Sequence, residues 1–415
     1  MRNRLKFVAV LATLCCAGSF LSVAVAVADQ PTVSKAVAKP LKAAQEAVAA
    51  KHFDEALSRV KEAQAAPGDK TAFDTYAMNV ILIQIYQGKN DQAGLAQTLQ
   101  AAAQSQYVPN EQQKAWYKYL AQYYYQQKDY AKSLDAAQQC VRHGATDSDT
   151  LLLIAKAEFQ SGKYKDASTQ VQDVVGKMEK PDEDSLKLEW TFCDKAGDSS
   201  CSAKTIEKLV AFYPKPEYWQ NALAPMRKMD IKDSHLQLDV YRLMNDVGVL
   251  KLPTDYADMA EISLDQGLPG ETVAILQEAF QKNIFTEQRD KDRYQHLLDG
   301  AKQRAAADQA QLGKSEPADG NAYVQLGVAY MSYGQYDKAV ASISKGIQKG
   351  GLKSPDDATL LLGIANLKSK NNAEAQKAFE KAATSSSQGY SRLAKLWALH
   401  AGAHGAPVGV AKNER

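Results

Sequence analysis

The sequence predicts an all-α protein, a solenoid of helical hairpins in one long array or two shorter ones, and three observations lead there. The first is "AYVQLGVAYMSYGQYDKAVASI", residues 322 to 343. Tyr323, Leu326, Gly327 and Tyr330 lie three, four and seven positions apart, on one face of a helix. Gly334 marks a turn, and Ala339 and Ile343 repeat the four-residue step on a second helix, with Gly327 and Ala339 small where the two backbones approach. The second observation is recurrence: Ser133 and Ala167 hold equivalent places 34 residues apart. The third is composition, because alanine, leucine, glutamine and lysine dominate and valine and isoleucine rarely alternate with polar residues. Nothing reads as a sheet.

A single hairpin cannot bury its apolar face, so the repeats must supply each other's core. Phe53, Ala56, Val60 and Ala63 form the second half of a first unit. Tyr117, Leu120, Ala121, Tyr124, Tyr130, Ser133 and Ala137 make a whole one, followed by Leu151, Ile154, Ala155, Gly162, Tyr164, Ala167 and Val171. Tyr256, Met259, Ala260, Gly267, Leu276 and Ala279 give another, and Leu362, Gly363, Ala375, Phe379 and Ala382 repeat the 322–343 pattern one unit later. This phase resembles the W-x2-L-G-x2-Y, A-x3-F pattern of the tetratricopeptide repeat family. The resemblance implies stacked hairpins whose first helices line a concave, ligand-selecting groove.

The first 28 residues set the expected compartment. Arg2, Arg4 and Lys6 precede an uncharged run from Phe7 to Ala28 that ends in Ala26-Val27-Ala28 before Asp29. That is a secretory leader cut after Ala28, with an uncleaved anchor as the alternative reading. The expectation is a periplasmic protein without a lipid anchor, since Cys15 and Cys16 lack the leucine-led lipoprotein context. Loss of the three leader cations leaves 47 Lys plus Arg against 48 Asp plus Glu, a net of −1. With no long basic run, neither nucleic acid nor an anionic membrane surface is an expected partner.

The remaining chain divides into a repeat array over 29–180, degenerate helical repeats over 181–302, a linker at 303–320, and a C-terminal pair with capping helix and flexible tail over 321–415. Cys193 and Cys201 bracket the turn "DKAGDSS" and are close enough to pair in an oxidising compartment, with a redox pair or half a metal site as the alternative. Cys140 takes a small apolar core position one turn after Ala137. No phosphate loop, nucleophile elbow or zinc helix motif is present, and no cofactor is expected. His400 and His404 share a helical face and could share a metal, against a fraying helix end near Gly402.

Function therefore falls to surface. The side chains beside the hairpin seam include Tyr125, then Leu152 and Phe159, then Val324, Val328 and Met331, then Leu360, Ile364 and Leu367, and these are the expected groove residues. Either a partner covers the apolar C-terminal pair or the chain's own "QGYSRLAKLWALHA" does, through Leu393, Leu396 and Trp397. Tyr119, Tyr123 and Tyr125 are candidate interface anchors or packing between units. "LVAFYPKPEYWQNALAPM", residues 209 to 226, with the following degenerate unit and its Gly267-Leu268-Pro269 turn, is similar to periplasmic tetratricopeptide proteins encoded beside TonB-type energy-transduction systems. That likeness covers roughly residues 205 to 290 and implies an accessory of outer-membrane transport. A non-catalytic protein-binding scaffold is the general expectation, with a structural or adaptor factor in envelope assembly or polysaccharide export as the alternative.

Overall fold

The computed structural model describes residues 32–228 and 232–404, and twenty α-helices and no strand occur among them. The leader expected over 1–28 and the tail beyond His404 lie outside the described residues. Two compact units divide the chain after Ala157, earlier than the boundary at 180 that the repeat phase suggests.

The first unit opens with α1 (Lys35–Ala49), α2 (Phe53–Ala65), α3 (Ala72–Gly88) and α4 (Gln92–Ala102). It continues through α5 (Asn110–Gln126), α6 (Tyr130–Arg142) and most of α7 (Ser148–Gln160). Its helices pair in sequence, α1 with α2, α3 with α4 and α5 with α6. Short turns close each pair through one left-handed residue, Lys51, Asn90 and Lys128 respectively. Asp91 and Asp129 then accept from the third backbone N–H of the following helix, and Thr71 and Asp74 form a reciprocal cap on α3. Ser133 shows how the repeat seals: fully buried, its hydroxyl donates to the Ala121 carbonyl of the facing helix at 2.8 Å. Trp116, Leu120, Ala121 and Ala137 are buried in the same core, while Tyr117 and Tyr124 only border it. Trp116, not its neighbour Tyr117, is the large interior residue of that unit.

The second unit carries α8 (Tyr164–Val175), α9 (Glu183–Ala196), α10 (Ser199–Phe212), α11 (Pro216–Lys228), α12 (Ser234–Asp246) and α13 (Pro253–Asp265). It goes on with α14 (Pro269–Gln281), α15 (Gln288–Gln309), α16 (Gly320–Ser332) and α17 (Tyr336–Lys349). The last three are α18 (Pro355–Lys368), α19 (Asn372–Ala382) and α20 (Gln388–His404). The linker expected over 303–320 begins inside α15, because Tyr294, Leu298 and Ala301 bury that helix and carry it past the repeat phase.

Close packing of the C-terminal pair follows from its glycines. A Cβ at Gly327 would fall 2.4 Å from Ile343, and one at Gly363 would fall 2.5 Å from the Phe379 ring. Helix α18 is buried on almost every side, as an apolar-all-round helix must be. Helices α16, α17, α19 and α20 surround it.

Cys193 and Cys201 are bonded, with Cα atoms 5.7 Å apart, and tie α9 to α10 inside the unit. Cys140 is buried and its thiol donates to the Lys114 carbonyl at 3.3 Å, and burial pushes its pKa up. Replacing both bonded cysteines by alanine is expected to lower the unfolding free energy by about 2–3 kcal/mol through the freed loop. Urea unfolding of the two proteins under oxidising conditions checks this, and coincident curves would exclude a structural role for the bond.

Candidate functional site

Helix α20 decides which surfaces of the second unit remain open. Its Leu393, Ala394, Leu396 and Trp397 are buried, and it packs on α18, α19, α10 and α12. Each buried leucine contributes about 1.5–3 kcal/mol, so the helix is held as part of the body. Trp397 stacks on Phe379 with centroids 5.9 Å apart, and its indole meets the edge of His400 at the same distance. Gly389 lets the helix approach α12, where an added Cβ would stand 2.5 Å from Leu236.

The groove residues expected from sequence scatter as a result. Leu360, Ile364 and Leu367 are buried around α18, and the chain's own helices cover Leu360 and Leu367. Leu152 is buried in the first unit. Tyr125 turns its ring edge onto Tyr130 at 5.5 Å, and Phe159 stacks on Phe192 at 4.2 Å. Val324 faces α17 at Gly346, where a Cβ would come within 2.8 Å of it. Val328 stays half-buried. Tyr119 and Tyr123 stack on each other at 6.4 Å while bordering the first unit's core.

Two of those residues, Met331 and Ile364, meet again at the wall of a cleft of about 510 Å³ where α12, α14, α15, α16, α18 and α20 converge. Trp397 lines the cleft beside them, and Tyr333 and Tyr336 add aromatic surface. Its charged members are held in fixed pairs. Arg242 donates through Nε and Nη2 to both oxygens of Glu271 at 2.8 and 2.5 Å, and through Nη1 to Asp239 at 2.7 Å. Asp246 pairs with Lys368 and lies 3.1 Å from Nε2 of His400. Burial alone would raise the Asp246 carboxyl, but the His400 bond and the Lys368 charge outweigh it and hold it below the usual carboxylate range. Tyr333 donates to Asp308 at 2.7 Å, and Gly270 admits it, since a Cβ there would lie 2.5 Å from its ring. Ala274 and Gln277 stand exposed at the rim.

A second cleft of about 520 Å³ opens between α9, α10, α11 and α20, lined by Trp190, Pro225, Arg392 and Leu396. The tyrosine and tryptophan of the 213–219 segment are interior beside it. Tyr218 and Trp219 are buried, Tyr213 donates to the Pro181 carbonyl at 3.1 Å, and Trp219 meets the edge of His400 at 5.9 Å. Lys215 donates to Glu183 at 2.6 Å, and with Tyr218 and Lys187 it holds that carboxylate down at about 2. The motif therefore fastens α11 to α9 and α20. Helix α20 runs through Gly402 to His404, and His400 bonds to Asp246. No set of three His, Cys, Asp or Glu side chains suited to a metal occurs among the described residues. No helix among them is long and apolar enough to cross a membrane.

No known family's sequence profile matches this chain, and no curated protein matches it. Among solved structures, a tetratricopeptide repeat protein from Parabacteroides merdae matches 78% of this chain and 98% of its own, at 12% identity and a TM-score of 0.29. The TPR2AB domain of yeast Sti1 in its HSP90 complex matches 68% of this chain and 98% of its own, at 16% identity and a TM-score of 0.24. The TPR domain of P58(IPK) matches 89% and 99%, at 12% identity and a TM-score of 0.23. The fold assignment itself rests on the chain's own paired helices.

Proposed function

We propose that the protein is a non-catalytic scaffold that captures a peptide or helix of a partner protein. The observation that carries this reading is the cleft of about 510 Å³, whose walls are packed hairpins with their charges already paired. A preformed wall loses little entropy on capture, and its aromatic and aliphatic members offer anchoring area while the paired charges confer orientation.

The setting we favour is the periplasm, reached through the leader that ends in Ala26-Val27-Ala28. Within it, the likeness of residues 205 to 290 to proteins encoded beside TonB-type systems supports an accessory role in outer-membrane transport. Envelope assembly or polysaccharide export is the second setting, and the genes flanking this one discriminate between them.

The test is affinity capture by residues 29 to 415 from cross-linked envelope extracts, run beside an Ala274→Trp variant that fills the cleft from its exposed rim. We expect a partner retained by the wild type and lost by the variant, with the melting transitions of the two coincident. TonB-type or receptor components would support the transport setting, and assembly or export proteins the second. Partners retained equally by both proteins would remove the cleft from the reading.

A further inference from the structure

Asp239 of α12 and Asp357 of α18 belong to different repeats, yet their carboxyl groups lie within hydrogen-bonding reach of each other inside the second unit. Asp239 is 0% exposed and Asp357 7%. One oxygen of each, Oδ2 of Asp239 and Oδ1 of Asp357, has no donor among the described residues. Two ionised carboxylates would repel there, and the guanidinium bonded to Asp239 is shared: Arg242 gives Nη1 to Asp239 at 2.7 Å and spends Nε and Nη2 on Glu271. One proton between the two carboxyls replaces repulsion by a short, charge-assisted hydrogen bond, and with Arg242 shared with Glu271 the cluster then carries one net negative charge in place of two.

We propose that Asp239 and Asp357 share one proton and form a pH-sensitive latch that holds the C-terminal hairpins on the middle repeats. The principal charges around the pair come from α12, α14 and α20. Helix α12 and its cap bring Asp233, His235 and Arg242, α14 brings Glu271, and α20 brings Tyr390, whose hydroxyl donates to Asp233 at 2.9 Å. Burial is the largest cause pushing both carboxyls up. For Asp357 the Asp239 charge adds to it and carries the group to about 8, while for Asp239 the Arg242 charge opposes it without cancelling it.

The direction of the response follows. An unfolded aspartate releases its proton near 3.8, whereas the folded pair keeps one up to about 8. The latch is therefore at full strength below the unfolded value, weakens as pH rises above it, and is spent once pH passes the folded value. Loss of the proton leaves two buried negative charges between α12 and α18. Arg242 and Asp246 on the first, and Ile364 and Lys368 on the second, line the cleft beside Trp397, so its walls loosen together. The latch is independent of whether that cleft binds a protein.

Amide hydrogen exchange on the intact protein tests it, with intrinsic exchange rates corrected at each pH. Between about pH 6 and about pH 9, protection across residues 355–368 and 388–402 should fall about tenfold or more in the wild type, since each displaced proton is worth up to tenfold per pH unit. In Asp357→Asn, whose amide donates to Asp239 at every pH, the same segments should lose less than about twofold. Equal falls in both proteins, or none in the wild type, overturn the latch. An infrared band of a protonated carboxyl at about pH 6.5 gives a reading that needs no variant, because an ordinary aspartate is ionised there, and its absence also overturns the proposal.

Discussion

Trp397→Ala should lower the unfolding free energy of the second unit by about 3–5 kcal/mol, the range for removing a large aromatic ring from a packed interior. Trp397 is 0% exposed, stacks on Phe379, and stands where α20 joins α18 and the cleft lined by Met331 and Ile364. The surrounding helices are pinned by close glycine contacts at Gly363 and Gly389 and have little room to collapse into the gap. Trp397→Phe separates packing from polarity. The indole N–H has no hydrogen-bond partner among the described residues, so its loss relieves a buried cost of about 1–3 kcal/mol that offsets part of the smaller ring's lost contact. Denaturant unfolding followed by fluorescence and circular dichroism measures both. An alanine variant within about 1 kcal/mol of the wild type would mean that α20 is not held as the structure has it.

Arg242→Met should cost about 3–5 kcal/mol, because it strands two carboxylates in the interior. The Arg242 side chain is 11% exposed and those of Asp239 and Glu271 are 1% and 15% exposed, so water does not take over its bonds. Removing the second charge as well, in Arg242→Met with Glu271→Leu, should recover part of the loss, since an apolar pair avoids the stranded charge. Chemical denaturation of the single and double variants, arranged as a cycle, gives the coupling. Additive losses would show that the bidentate bond contributes no net stability.

Much of the molecule was legible in one sequence. The three-and-four spacing at Tyr323, Leu326 and Gly327 and the 34-residue step from Ser133 to Ala167 identified the hairpins, because a repeat must bury its face against the next copy and so advertises that face. The Cys193–Cys201 pair and the buried Cys140 were legible for a related reason, since both are local to one hairpin. The groove was not. Leu360 and Ile364 looked available because helical periodicity assigns a residue to a face but says nothing of which distant element covers that face. Trp116 was passed over for Tyr117 because a one-residue shift around the helix is invisible to a pattern that accepts any aromatic there.

By itself, then, the sequence determined the local terms: which stretches are helical, where they turn, which small residues admit a neighbour, and which cysteines can meet. Those depend on separations of three, four, eight and 34 residues. Only the tertiary structure decided that α20 returns to α10, α12 and α18, that His400 and Lys368 converge on Asp246, and that Asp239 faces Asp357. Apart from the α18–α20 contact, the partners lie more than a hundred residues apart and follow no repeat period, so they exist only once the hairpins have stacked and the buried polar groups have found one another.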